Sequence, residues 1–256
     1  QRPIPELVEE IQGFAGSFFI FVDDNLTQDR EYALALFRAM APLKKKWVTQ
    51  VAMGVAEDEE LLEAMRNAGG MGVFIGLETF CNEALDEQSK SFNQPQQYRN
   101  AVAALHRHGL FVEAGIIVGF DADTVDTFRN TLLMLEDIAI DSIQLSILTP
   151  LPGTPFFEEM RDRIVDRNWA HYDYRHAVFS PRGMTPKELQ AGADWLIRSF
   201  YSPSRILRRL FRWMKMPCDW RQILYSLVLN LAYFGRVCQF HIRGYDPGAV
   251  HRNPFV

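Results

Sequence analysis

The chain has 256 residues, of which 48% are hydrophobic and 23% charged, the ordinary composition of a folded soluble protein. Its net charge of −5 gives no general electrostatic case for a nucleic-acid partner. Three scattered cysteines, Cys81, Cys218 and Cys238, exclude a paired disulfide framework and match no closed zinc site, and they point to a reducing cytoplasm.

The opening Gln1-Arg2-Pro3-Ile4-Pro5 has no initiator Met and no apolar signal core, and reads as the interior of a longer protein. Ser17–Asp23 (SFFIFVD) reads as a buried strand, followed by a helix over about 28–40. Trp47–Met53 is a second strand. The next helix starts after Ala56-Glu57-Asp58, where acids suit the N-terminal dipole, and stops near Gly69-Gly70. Met71–Leu77 is a third strand, with helical stretches at 82–89 and 96–108. Phe111–Val118 is the fourth strand, 124–138 a helix, and Asp141–Leu148 the fifth strand. It runs into Thr149-Pro150-Leu151-Pro152-Gly153-Thr154-Pro155, where prolines and glycine forbid regular structure.

Strands alternating with helices imply βαβ units and a parallel sheet with right-handed crossovers. A doubly wound sheet and a barrel both fit; the lack of a Gly-x-Gly-x-x-Gly after a strand favours the barrel. Beyond Pro155 the pattern changes. Trp169–Pro181 is aromatic and irregular, an edge strand with a loop. Thr185-Pro186-Lys187-Glu188 carries a capping-box start for a helix to about Tyr201, and further helices follow at 204–214 and 220–240. The expected organisation is a core over residues 1–160 and an aromatic and helical extension over 161–256.

Ligands in parallel α/β folds sit at the carboxyl ends of strands, so those ends carry the candidates. They are Asp23-Asp24-Asn25, Gln50, Gly76-Leu77-Glu78, Val118-Gly119-Phe120-Asp121, and Leu148 to Thr154. Taken singly, each also suits a turn or a helix cap. Together on one rim they describe a ligand pocket.

The order F-V-D-D-N-L-T, W-x-x-Q, F-I-G-L-E, G-I-I-V-G-F-D-A-D and S-I-L-T-P-L-P-G-T-P resembles the radical S-adenosylmethionine (SAM) superfamily over roughly Arg2 to Phe200. More narrowly it is similar to the subgroup with an N-terminal cobalamin-binding domain, which includes methyl-transferring and ring-modifying enzymes. The resemblance implies a partial TIM-type (β/α)6 barrel comprising that family's second to sixth strands. It implies that Asp23, Asp24 and Asn25 help to hold the SAM amino group, where a carboxylate accepting from an ammonium makes a charge-assisted bond. Glu78 would lie near the methionine or ribose, with Gln50 facing the same cavity. Gly115 to Phe120, with Gly119 at the turn, would pack against adenine. Leu148, Thr149, Pro150 and Leu151 would offer backbone to its edge.

The family also needs a C-x-x-x-C-x-x-C loop whose thiolates hold a [4Fe–4S] cluster. No such loop occurs in this sequence, so the metal-ligand set is empty and Cys81 reads as a small structural residue. The resemblance then implies that the full protein cleaves SAM reductively to a 5′-deoxyadenosyl radical and acts on an unactivated carbon, with cobalamin-linked methyl transfer where a cobalamin domain precedes it. It further implies an electron donor such as flavodoxin or ferredoxin and a small-molecule or lipid-like substrate. It names no catalytic residue in this chain. The alternative is a cluster-free α/β barrel that serves as a binding or interaction module.

His106 and His108 sit two apart on a helix, too far round it for a metal pair. Tyr172, Asp173 and His176 resemble a segment of the cobalamin-linked subgroup that closes over substrate, although surface packing explains them nearly as well. Asp123 suits a helix cap, and Met53 and Met71 suit core filling. The basic amphipathic stretch from Arg205 to Lys215 and the apolar run Ile223–Phe234 have two readings. One is helices packed on the barrel; the other is peripheral membrane contact, since a bilayer span needs about twenty apolar residues.

Overall fold

A computed structural model describes residues 1–79, 95–215 and 220–239. Five strands form one all-parallel sheet in sequential order: β1 (Phe18–Ile20), β2 (Lys46–Gln50), β3 (Gly70–Glu78), β4 (Phe111–Val118) and β5 (Ser142–Ile147). The helices are α1 (Ile4–Gly13), α2 (Arg30–Met40), α3 (Glu59–Asn67), α4 (Pro95–Arg107), α5 (Val125–Asp137), α6 (Pro155–Met160), α7 (Pro186–Phe200), α8 (Pro203–Met214) and α9 (Trp220–Gln239). The expected helix at 82–89, Cys81 and Cys218 lie outside the described residues, as does the side chain of Cys238.

Strand alternation sorts the side chains onto two faces. Trp47, Thr49, Val73, Ile75, Val112, Ala114 and Ile143 turn outward into the core beneath the helices. There Trp47 stacks on Phe37 of α2 at 5.0 Å, and its indole N–H donates to the Ala68 carbonyl. Gln50, Phe74, Glu113 and Gln144 turn to the concave face, making the sheet a half-barrel whose hollow is lined from all five strands. Side-chain caps start several helices, with Asp29 accepting from the Tyr32 amide and Asp58 from the Leu61 amide. Arg30 bridges these two helix starts, reaching Asp58 and Glu60.

The strand order matches the expectation, and the boundaries shift. β1 is three residues long, and its last ladder bond runs from the Phe21 amide to the Val48 carbonyl. β2 stops at Gln50, and a 3-10 turn, Met53–Glu57, follows. Trp169–Pro181 holds no regular edge strand. An isolated antiparallel bridge joins Ile164 to Phe179, and the Tyr174 carbonyl accepts from the Ile147 amide at the open side of β5. The capping box at Thr185 and Glu188 is present, and Gly192 lets α7 close onto Phe128 of α5, where a Cβ would come within 2.1 Å of the ring. Among the described residues no helix is long and apolar enough to cross a membrane.

The basic stretch of α8 is largely internal wiring. Buried Arg209 donates to Asn230 of α9 and to the Phe200 carbonyl, and lies 4.1 Å from the centre of the Phe200 ring. Burial lowers its pKa to about 10. Arg205 pairs with Glu136, while Arg212 and the Trp213 indole both reach Asp141.

Candidate functional site

Because all five strands are parallel, their carboxyl ends share one rim. After β1, Asp23 and Asp24 are exposed, and Asp23 lines the concave cavity together with Gln50 at the end of β2. Asn25 is committed to its own loop. Its side-chain oxygen accepts from the amide and hydroxyl of Thr27 and from the Ala52 amide, and its amide group donates to Gln28. That geometry makes Asn25 the brace joining the β1 loop to the end of β2.

Glu78 closes β3 in a left-handed conformation, φ +63°, where the register with β4 slips by one residue. Its carboxylate folds back over Gly76, with Oε1 2.6 Å from the position a Cβ at residue 76 would take. Gly115 is equally constrained, since a Cβ there would meet the Phe74 ring at 2.8 Å. These glycines make room for the Glu78 carboxylate and the Phe74 ring, which lie against them.

Gly119 also takes a left-handed turn, φ +106°. Its amide and that of Phe120 donate to one carboxylate oxygen of Asp123, at 2.8 and 3.0 Å. Asp123 is therefore no helix cap: Thr124 caps α5, and Asp123 is buried beneath the turn with its Oδ1 unpartnered. Burial raises its pKa, and the two amide bonds only partly oppose that. Thr149 is buried, its hydroxyl donating to the Ile147 carbonyl; Pro150 is buried and Leu151 half-buried.

The rim divides between two hollows. The concave cavity, about 450 Å³, gathers Asp23 and Gln50 with Phe74, Glu113, Gln144 and the tyrosines of α9. The other, about 590 Å³, lies at the ends of β4 and β5 and gathers Gly119, Asp121 and Leu148 with Phe156, Phe179 and Arg182. Thr149, Pro150 and Leu151 line neither of these two. Both volumes fall in the range of small-molecule pockets.

Several residues of the hollow were not anticipated. Glu113, in the middle of β4, accepts from the Ser142 hydroxyl and from Tyr233 of α9 at 2.5 Å. Burial and then the nearby Glu113 charge push the phenols of Tyr225 and Tyr233 well above their usual range. The signal for Glu113 lies in the alternation of F-V-E-A-G-I-I-V, which puts an acid on the same face as Phe111 and Gly115. Nothing in the α9 sequence announces that its tyrosines enter the barrel.

Beside the second hollow, Asp121 accepts from Arg163 at 2.6 Å and from the Arg182 amide. Burial would raise its pKa, and the two arginines outweigh that and lower it. His171 bonds Asp166 and His176 bonds Asp173, and the two imidazoles stack at 4.5 Å. Tyr172 donates to the Asp166 carbonyl, and burial followed by the Asp166 charge pushes its hydroxyl up to about 12. His106 bonds Asp141, while His108 turns to the Ala104 carbonyl and Glu59, so the two do not converge. Among the described residues no three His, Cys, Asp or Glu side chains are placed to hold a metal ion.

No protein-family model matches the chain. It is 32% identical over 202 residues to a bacteriochlorophyllide d C-12(1)-methyltransferase of Chlorobaculum tepidum, a match covering 79% of this chain and 44% of that enzyme. It is 29% identical over 206 residues to an anaerobic magnesium-protoporphyrin IX monomethyl ester cyclase of Cereibacter sphaeroides, covering 78% of this chain and 34% of the cyclase. The chain thus spans less than half the length of either relative. In fold it is similar to the radical SAM methyltransferase TsrM of Kitasatospora setae, solved with cobalamin and a [4Fe–4S] cluster bound. That likeness has a TM-score of 0.61 and 15% identity, covering 92% of this chain and 56% of TsrM. Relatives in sequence and a shared barrel path converge on one family, and the chain belongs to the radical SAM superfamily.

Proposed function

We propose that this chain is the SAM-holding half-barrel of a radical SAM enzyme that acts on an unactivated carbon, with methyl transfer as the outcome. The observation that carries this reading is the meeting of Asp23 and Gln50, at the carboxyl ends of β1 and β2, in a hollow lined from all five strands of a parallel sheet. The hollow, about 450 Å³ and lined by both polar and aromatic side chains, has the size and chemistry for an adenosyl ligand. When bound, SAM supplies the carbon or the radical that the chemistry requires.

The chain's own part is placement. The exposed carboxylates of Asp23 and Asp24 are free to accept from the ligand ammonium. Asn25 holds that loop in register, and Glu78 offers its carboxylate to ribose hydroxyls. The Gly119 amide is spent on Asp123, so this glycine contributes a turn and close approach. Leu148 to Leu151 line no part of the concave hollow and are left without a ligand role, while the segment containing Tyr172 and His176 shields the far side of the rim. The described residues offer no ligand set for a cluster, and we assign its thiolates, along with any cobalamin site, to sequence outside this chain. Electrons would come from a flavodoxin- or ferredoxin-like donor, and the substrate class is a small or lipid-like molecule.

Isothermal titration of the chain with S-adenosylhomocysteine tests the assignment. Saturable binding is expected, weakened at least tenfold, about 1.4 kcal/mol, by Asp23→Asn combined with Gln50→Ala. Absence of saturable binding, or a double variant that binds as well as the parent, favours the cluster-free interaction module instead.

A further inference from the structure

Two C-terminal helices turn apolar stripes to solvent. On α8 the exposed residues Leu207, Phe211 and Met214 recur at i, i+4 and i+7; on α9, Leu224, Val228 and Leu231 do the same. All six are between 47 and 63% exposed. At that spacing each trio shares one helix face. The stretch Gln222–Gly235 carries no charged residue, so the solvent face of α9 there has nothing to keep it wet. Exposed apolar stripes of this kind mark contact surfaces.

Charge indicates what covers them. Between Trp195 and Tyr245 the sequence holds nine lysines and arginines against one acid, Asp219, in a chain whose net charge is −5. Arg205, Arg209 and Arg212 turn inward, while Arg198, Arg208 and Lys215 stay exposed. With about 100° of rotation per residue, Arg208 and Lys215 fall roughly a quarter-turn from the Leu207–Met214 stripe, where long cationic stems lie beside an apolar face and keep their heads in water. The pairing of α8 with α9 is fixed by Arg209 and Asn230, at 2.8 and 3.1 Å, so the stripes sit on a braced platform.

We propose that the paired helices α8 and α9 form a docking surface for an anionic lipid bilayer, with the two stripes entering the interface and the basic side chains meeting lipid phosphates. The site is distinct from the rim and does not depend on what the rim binds.

Co-sedimentation of the chain with vesicles of phosphatidylglycerol and phosphatidylcholine in equal parts tests this, with phosphatidylcholine vesicles as the comparison. The chain should pellet with the anionic vesicles, less so as salt rises, and only weakly with the neutral ones. Phe211→Glu with Val228→Glu should weaken binding by about tenfold or more, since each burial lost is worth roughly a factor of ten. Arg208→Glu with Lys215→Glu should act in the same direction. All four positions are exposed, so circular dichroism of the variants should match the parent. Failure to pellet with anionic vesicles, or equal binding to both vesicle types, overturns the proposal. So does light scattering that shows a dimer which Phe211→Glu splits, because the face would then belong to a second copy of the chain.

Discussion

At the scale of single residues, the most consequential side chain outside the rim is Asp141. It is fully buried and is gripped by His106 at 2.8 Å, Arg212 at 2.6 Å, the Trp213 indole and the Val112 amide. Burial by itself would raise its pKa, yet His106, Arg212 and the amide bond together hold it down to about 2. The folded value thus lies below the unfolded one of about 3.9, so the stabilisation is complete above about pH 4 and is lost as pH falls towards 2. Urea melts at stepped pH should show that loss. Asp141→Asn should abolish it and cost about 3 kcal/mol or more at neutral pH, because the part-buried Arg212 guanidinium loses its counter-charge. A variant as stable as the parent would refute the role. Sequence gave no hint of this hub: its members are 35 and 71 residues apart from Asp141, and only the packing of α8 under β4 and β5 brings them together.

At the scale of elements, legibility followed the strength of local punctuation. β4 was readable to the residue because Gly109 and Gly119, both left-handed, stop the chain on either side. The start of α7 was readable because Thr185, Pro186 and Glu188 form a complete capping box. α1 is harder to read although Ile4, Leu7, Val8 and Ile11 carry the helical spacing; the prolines at 3 and 5 look like breakers and instead open the first turn. α6 was hidden in the same way behind Thr149–Pro155. β1 is shorter than its apolar run, since such a run reveals strand character but not how many residues find a neighbour to pair with. Rim positions could be found from strand ends alone. What strand ends cannot reveal is which polar groups are already committed, as Asn25 and Thr149 are, or that one rim serves two hollows.

At the scale of the whole molecule, the C-terminal region is built into the barrel. α9 inserts Tyr225 and Tyr233 into the concave hollow, where Tyr233 donates to Glu113 and stacks on Tyr201 at 5.2 Å. Tyr233→Phe keeps the ring contact and removes a bond to a carboxylate, worth about 1.5–3 kcal/mol. The expected result is faster amide exchange through α9 with β4 unchanged, and uniform exchange in both proteins would count against this tie. Glu78 has a consequence for how such a chain would evolve in the laboratory. A non-glycine residue held at φ +63° costs about 1–2 kcal/mol that asparagine, which tolerates this conformation, largely avoids. Selection for heat resistance alone should therefore discard the glutamate. Glu78→Asn should raise the melting temperature by roughly 2–4 °C and, on the proposed function, weaken binding of S-adenosylhomocysteine. A melting temperature that falls instead would mean that the bent strand end is at rest, and a population passed repeatedly through heat would keep its acid.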